Sequence, residues 1–148
     1  MSAAVEAGIE GIPAIGFSLL DHNFHADFSA AAHYAKIISK QVLQYGLPEA
    51  TLLNVNIPRL DKEHIKGVKV CRQARARWEE DYDKRKDPRG EEYYWLKGKF
   101  IVDDKGQDTD EWALQNGFVS IVPTQFDMTA HHAIPFINNN WKLDAKTR

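Results

Sequence analysis

Disulfide chemistry is the first thing the chain lacks. Its 148 residues hold one cysteine, Cys71, so no intrachain bridge can form and a secreted, disulfide-stapled scaffold is excluded. No apolar run approaches the roughly 18 residues of a membrane helix, and the N-terminus has no basic stretch followed by an apolar one, as a signal peptide would. Charge of one sign is missing too. Lys and Arg number 19 against 21 Asp and Glu, a net charge of −2, which argues against a general nucleic-acid-binding surface. There is no G-x-S-x-G elbow, no HExxH pair and no glycine-rich phosphate loop. The expectation is a cytoplasmic protein with neither a membrane nor a nucleic-acid partner. What remains is ordinary globular composition, 43% hydrophobic and 27% charged, over a length that can bury one core.

The chain opens with MSAAVEAGIEG, which reads as a short helix stopped by Gly11, with Pro13 forbidding its continuation. The apolar run Ile12 to Leu20 reads as a strand covered on both faces, as in a parallel sheet. A polar segment ending in the candidate caps Asp27 and Ser29 leads into the clearest helix. Ala31, Ala35, Ile38, Val42 and Tyr45 mark its apolar stripe, and Gly46 and Pro48 end it. LLNVNIP supplies a second apolar strand, Leu52 to Ile57. Helix, strand, helix and strand with short connections make an α/β layer that starts without its first strand. Residues 1–66 are expected to form the remainder of that α/β core.

From Gly67 the character changes, and residues 67–148 are expected to form a hairpin arm, returning strands and a closing helix. GVKVCR alternates like a strand. Gln73 to Glu92 then carries thirteen charges in twenty positions, six basic and seven acidic, and the near balance argues for a solvated excursion. DPRG, Asp87 to Gly90, has the residues of a type I turn. EEYYWLKG returns the chain. The reading is a long β-hairpin that packs on another subunit, with Arg75, Arg77, Trp78, Asp87, Arg89, Tyr94 and Trp95 as its interaction residues. Further on, Asp108 or Thr109 caps a helix from Asp110 to Asn116, FVSIV is a buried strand, and Pro135 to Leu143 forms a closing helix packed through Phe136 and Trp141. KLDAKTR reads as a frayed tail.

Candidate chemistry is sparse. Six histidines are scattered without ligand spacing. Ser18 sits at the end of the first strand, where ligands of α/β folds gather. Cys71 beside Arg72 is either a packed thiol or one with a lowered pKa. Asp127, Thr129 and His131 share a face if the segment is extended, which would let the carboxylate orient the imidazole. The competing reading is a turn locked by the Asp side chain on backbone N–H groups.

Four stretches in order, SAAVEAGIEGIPAIGFSL, LLNVNIP, the DPRGEEYYW arm and TDEWALQNGFVSIVPTQFDMTAH, resemble the C-terminal part of the SurE family of survival-protein nucleotidases and acid phosphatases. The resemblance implies an α/β, Rossmann-like three-layer fold with an extended β-hairpin oligomerisation region. It implies a phosphomonoesterase that hydrolyses nucleoside monophosphates with Mg2+ or Mn2+, assembled as a homodimer or homotetramer. The family's metal ligands, an Asp-Asp pair with a Ser and an Asn, fall upstream of Met1 in this correspondence. No metal ligand is therefore assigned here, and the chain is expected to be inactive alone. Asp127 and His131 match the family's D-x-T-A-H segment and, with Ser18, are expected to have supporting roles. The alternative is a non-catalytic oligomerisation module.

Overall fold

A computed structural model of the protein describes residues 1–142, so the expected end of the closing helix at Leu143 and the tail after Lys142 lie outside the described residues. Helix α1 (Ser2–Ile9) ends in paired bonds that bring its last carbonyls partners: Ile12 N–H donates to Ala7 C=O at 2.8 Å and Gly11 N–H to Gly8 C=O at 3.1 Å. Gly11 carries the positive φ of 74° that this reversal needs. Strand β1 (Ile15–Leu19) follows. Helix α2 (Ser29–Tyr45) begins where the Asp27 carboxylate accepts the Ser29 N–H at 2.8 Å and its hydroxyl at 2.9 Å. It returns the chain to β2 (Thr51–Ile57), which pairs in parallel with β1.

The main sheet runs β1-β2-β6-β3, where β3 is Val68–Val70 and β6 is Val119–Gln125. β6 lies antiparallel to β2 and parallel to β3. The sheet thus draws its strands from both sides of residue 66, and the hairpin alone forms a second sheet. Alternation along the strands separates two faces. Leu53, Val55, Ile57 and Val119 pack against Ala30, Tyr34 and Ile38 of α2 in the larger core. On the other face, α1 lies over Leu52, while Ala113 and Phe118 cover Val122 and Cys71. Helix, sheet and helix make three layers, a mixed α/β fold.

Two expectations change here. β1 was expected to be covered on both faces, yet Phe17 on the α2 side and Ser18 on the other are exposed, while Ile15 and Leu19 pack against the core. A continuous apolar run marks a segment that requires cover; it does not identify what provides it. On α2 the expected stripe holds as far as Val42: Ile38 is buried, Ala31 and Val42 pack against the core, and Ala30 and Tyr34 are buried beside them, whereas Tyr45 is 75% exposed.

The arm follows its sequence closely. β4 (Ala76–Lys86) and β5 (Glu92–Val102) pair along their whole length, from Ala76 opposite Val102 to Lys86 opposite Glu92. The turn between them closes with Gly90 N–H on Asp87 C=O at 3.0 Å, and one Asp87 carboxylate oxygen accepts the N–H groups of Arg89 and Glu91, each at 2.8 Å. After the arm, α3 (Asp110–Gln115) starts with the Thr109 hydroxyl accepting the Trp112 N–H at 3.2 Å. Helix α4 (Ala133–Asn140) closes the described chain with no buried residue. Phe136 and Trp141, expected to pack, are exposed. Its apolar side chains have the pattern of a packed helix, and among the described residues nothing lies against them to bury them.

Candidate functional site

The carboxyl ends of the parallel pair β1 and β2 are where ligands of an α/β fold gather. Ser18 is the next-to-last residue of β1, exposed, in register with Asn56 of β2. Beyond it a cavity of about 250 Å3 is lined by Asp21, Asp27, Ser29, Arg59, Asp61 and His64. Its acids are committed locally. Asp21 accepts the Asn23 N–H at 3.0 Å and the Asn23 side-chain amide at 2.6 Å, with Arg59 Nε 3.3 Å away. The Asn23 backbone bond leads in holding the Asp21 carboxyl below its usual range, and the Ser29 bonds do the same for Asp27. His64 Nδ1 stands 3.5 Å from Asp61. Among the described residues no hydrogen bond joins Ser18 to a histidine, so Ser18 has no base paired with it there.

Asp127 and His131 sit at the opposite end of the strands. β6 is antiparallel to β2, with Gln125 opposite Thr51, so the segment after β6 emerges at the amino ends of β1 and β2. Sequence reasoning left two readings open, and the structure combines them. The segment is a turn, with one Asp127 oxygen accepting the Thr129 N–H at 2.8 Å. The other oxygen meets His131 Nε2 at 2.6 Å, four residues on. Bonds from the Thr129 hydroxyl and N–H, then from His131, lower the Asp127 pKa to about 2. Ser18 is not brought to this pair.

The arm residues divide between two faces. Trp78, Tyr82, Tyr94, Leu96 and Phe100 share one exposed apolar face, while Arg77, Arg85 and Trp95 lie on the charged one, Arg85 5.3 Å over the Trp95 ring. Asp87 and Arg89 belong to the turn, and Arg75 precedes β4.

A constellation that sequence reasoning missed anchors the arm. The Arg72 guanidinium reaches Asp104 at 2.5 and 3.1 Å and Asp108 at 2.8 and 3.0 Å. Those bonds raise the Arg72 pKa and hold the Asp104 carboxyl far below its usual range. The Asp110 carboxylate accepts the Ala74 N–H at 2.8 Å, and Arg77 is bonded to Asp103. The available signal was one arginine at the foot of the hairpin and an aspartate cluster thirty residues later. Arg72 therefore does not activate Cys71, whose buried thiol is pushed up by desolvation. Among the described residues no group of three or more His, Cys, Asp or Glu side chains is placed to hold a metal ion.

Fold and site together define a class: a three-layer α/β protein with polar loops beyond a parallel strand pair and a clamped, projecting hairpin. The family model described as Survival protein SurE matches residues 1–80. The chain is 64% identical over 97% of its length to a 5'-nucleotidase SurE of Flavobacterium psychrophilum, covering 56% of that protein. It is 61% identical to the 5'-nucleotidase SurE of Christiangramia forsetii, covering 55%. The crystal structure of the SurE protein from Aquifex aeolicus superposes with a TM-score of 0.75 at 39% identity, over 93% of this chain and 55% of that one. The chain belongs to the SurE family. It spans about half the length of the curated relatives it matches.

Proposed function

We propose that the chain is the C-terminal portion of a metal-dependent nucleotidase that hydrolyses nucleoside monophosphates to nucleoside and phosphate. The observation that carries this reading is 64% identity over 97% of the chain to a 5'-nucleotidase SurE. In this reading the Mg2+ or Mn2+ ligands belong to the part of the longer relatives that the chain does not match, and the 148 residues alone are inactive. Such an ion polarises phosphoryl oxygens and lowers the pKa of water. This chain's contribution is the sheet that carries the site, with Ser18 at its rim. Asp127 and His131 play a supporting part at the foot of α4, and the arm builds a homodimer or homotetramer. The protein acts in the cytoplasm. Nucleic acid is not a partner in this reading, which fits arginines 72 and 77 being bonded to aspartates.

The test is phosphate release from AMP and GMP by a chain extended at its N-terminus with the part of its relatives that it does not match. Activity is expected with Mg2+ or Mn2+, lost in EDTA and restored by either ion. Activity indifferent to EDTA would overturn the metal dependence, and inactivity toward every nucleoside monophosphate would overturn the substrate class.

One observation favours a second reading, a non-catalytic oligomerisation module: Trp78, Tyr82, Tyr94, Leu96 and Phe100 are all exposed on one face of the arm. The two readings separate on the extended chain, which turns over nucleotides only under the first.

A further inference from the structure

Across the main sheet one register row is polar from edge to edge: Ser18 opposite Asn56, Asn56 opposite Ser120, and Ser120 opposite Lys69. Asn54 lies two residues back on the same face, between Gly16 and Val122. This is the face away from α2. Its amino end is covered by α1, with Gly8 against Leu52 and Met1 over Gly16; its far side is covered by Ala113 and Phe118.

Two asparagines in the central strand of a sheet are a poor choice for strand formation alone. Neither carboxamide, nor the Ser18 hydroxyl, makes a side-chain hydrogen bond among the described residues. Ser120 is fully buried and its Oγ has no partner, although burying an unpaired hydroxyl is costly. Asn54 and Asn56 are half-buried and reachable.

The chemistry of the row narrows its ligand. It holds no carboxylate or imidazole, so it does not fit a metal ion. Its one charge, Lys69, is occupied: Nζ donates to Gln107 C=O at 2.8 Å and lies 4.3 Å over the Trp112 ring. What remains is neutral and offers donors and acceptors side by side, the pattern that pairs with sugar hydroxyls and with the edge of a base. Ser18 and Asn56 are each one residue from the carboxyl end of a parallel strand, the usual place for such a ligand.

We propose that Ser18, Asn54 and Asn56 bind the nucleoside moiety of a nucleotide, with the unpaired, buried Ser120 hydroxyl beside Asn56 in the same row. The proposal rests on the nucleotidase reading and adds the residues that would hold the ribose or base.

The test is NMR of the side-chain amides of the 148-residue chain, titrated separately with adenosine, AMP and inorganic phosphate to about 10 mM. The Asn54 and Asn56 amide signals should move with adenosine and with AMP and stay still with phosphate. Asn56→Leu should weaken adenosine binding by about tenfold or more. Ser18→Ala, at an exposed position that leaves the fold intact, should weaken it severalfold. Signals that move with phosphate alone would overturn the proposal by marking an anion site. So would silence toward all three ligands, or adenosine binding that both variants leave unchanged. Nucleotide hydrolysis by the extended chain decides the nucleotidase reading separately: adenosine binding without hydrolysis keeps this inference and loses that reading, and hydrolysis without a response from these asparagines does the reverse.

Discussion

Gly98 shows how much of the arm depends on a side chain that is not there. A Cβ at this position would run into the Trp78 indole and stand 2.9 Å from the Glu79 carbonyl oxygen. The indole therefore lies across the neighbouring strand only because residue 98 is glycine. Gly98→Ala should push Trp78 off the ribbon, read as a moved Trp78 indole N–H resonance with the other indoles unchanged; an unmoved signal would refute the packing. Asp127 makes a second prediction at this scale. Its folded pKa is lowered to about 2, so its contribution to the turn is complete above the ordinary carboxylate range and lost as pH falls through about 2. The Thr129 amide should titrate with that low midpoint; a midpoint near 4 would mean the bonds do not hold in solution. In the core, Leu52 and Val55 are fully buried. Leu52→Ala should cost about 2–5 kcal/mol in a denaturant melt of the chain extended at its N-terminus.

Among the elements, those built from local contacts were legible in the sequence. Gly11 and Pro13 mark the end of α1, Asp27 the start of α2, and DPRG the tip of the arm, because each acts on backbone groups within a few residues. Long-range relations were not. Nothing in FVSIV says that β6 inserts between β2 and β3, or that this happens antiparallel to β2. Ser18 was legible as a strand end, but its distance from Asp127 follows only from that antiparallel register. The Arg72 clamp was illegible for the same reason, since its carboxylates lie 32 and 36 residues away. The clamp gives the arm a fixed root. Arg72→Ala should loosen it, raising amide exchange in Ala74 to Arg77 while leaving β2 protected; equal exchange in both proteins would assign the clamp no such role. In the proposed reading the arm's apolar face carries the assembly. Replacing Trp78 and Phe100 by Lys, which keeps the strand pairing, should reduce the mass seen in light scattering to that of a smaller species.

For the whole molecule, surface area is the telling quantity. The accessible surface is 11688 Å2, whereas a closed monomer of 16.9 kDa would expose about 7,700 Å2. Among the described residues, surface without a partner includes the outer edge of β1, the apolar face of the arm, and Phe136 and Trp141 at α4. A further apolar surface runs between α2 and the Val68 and Val70 side chains of β3. Surfaces of this size and polarity belong against other polypeptide, which is what membership of a family with proteins nearly twice as long leads one to expect. The chain alone should therefore associate, and a sharp cooperative melt from a clean monomer would contradict that. In the proposed reading these 148 residues form part of a nucleotidase without forming its catalytic centre. The most direct test of that reading measures phosphate released from AMP with Mn2+ by the purified 148-residue chain beside the extended one. The account predicts release by the extended chain and none above the buffer rate by the 148 residues; robust divalent-dependent turnover by the 148 residues alone would contradict it.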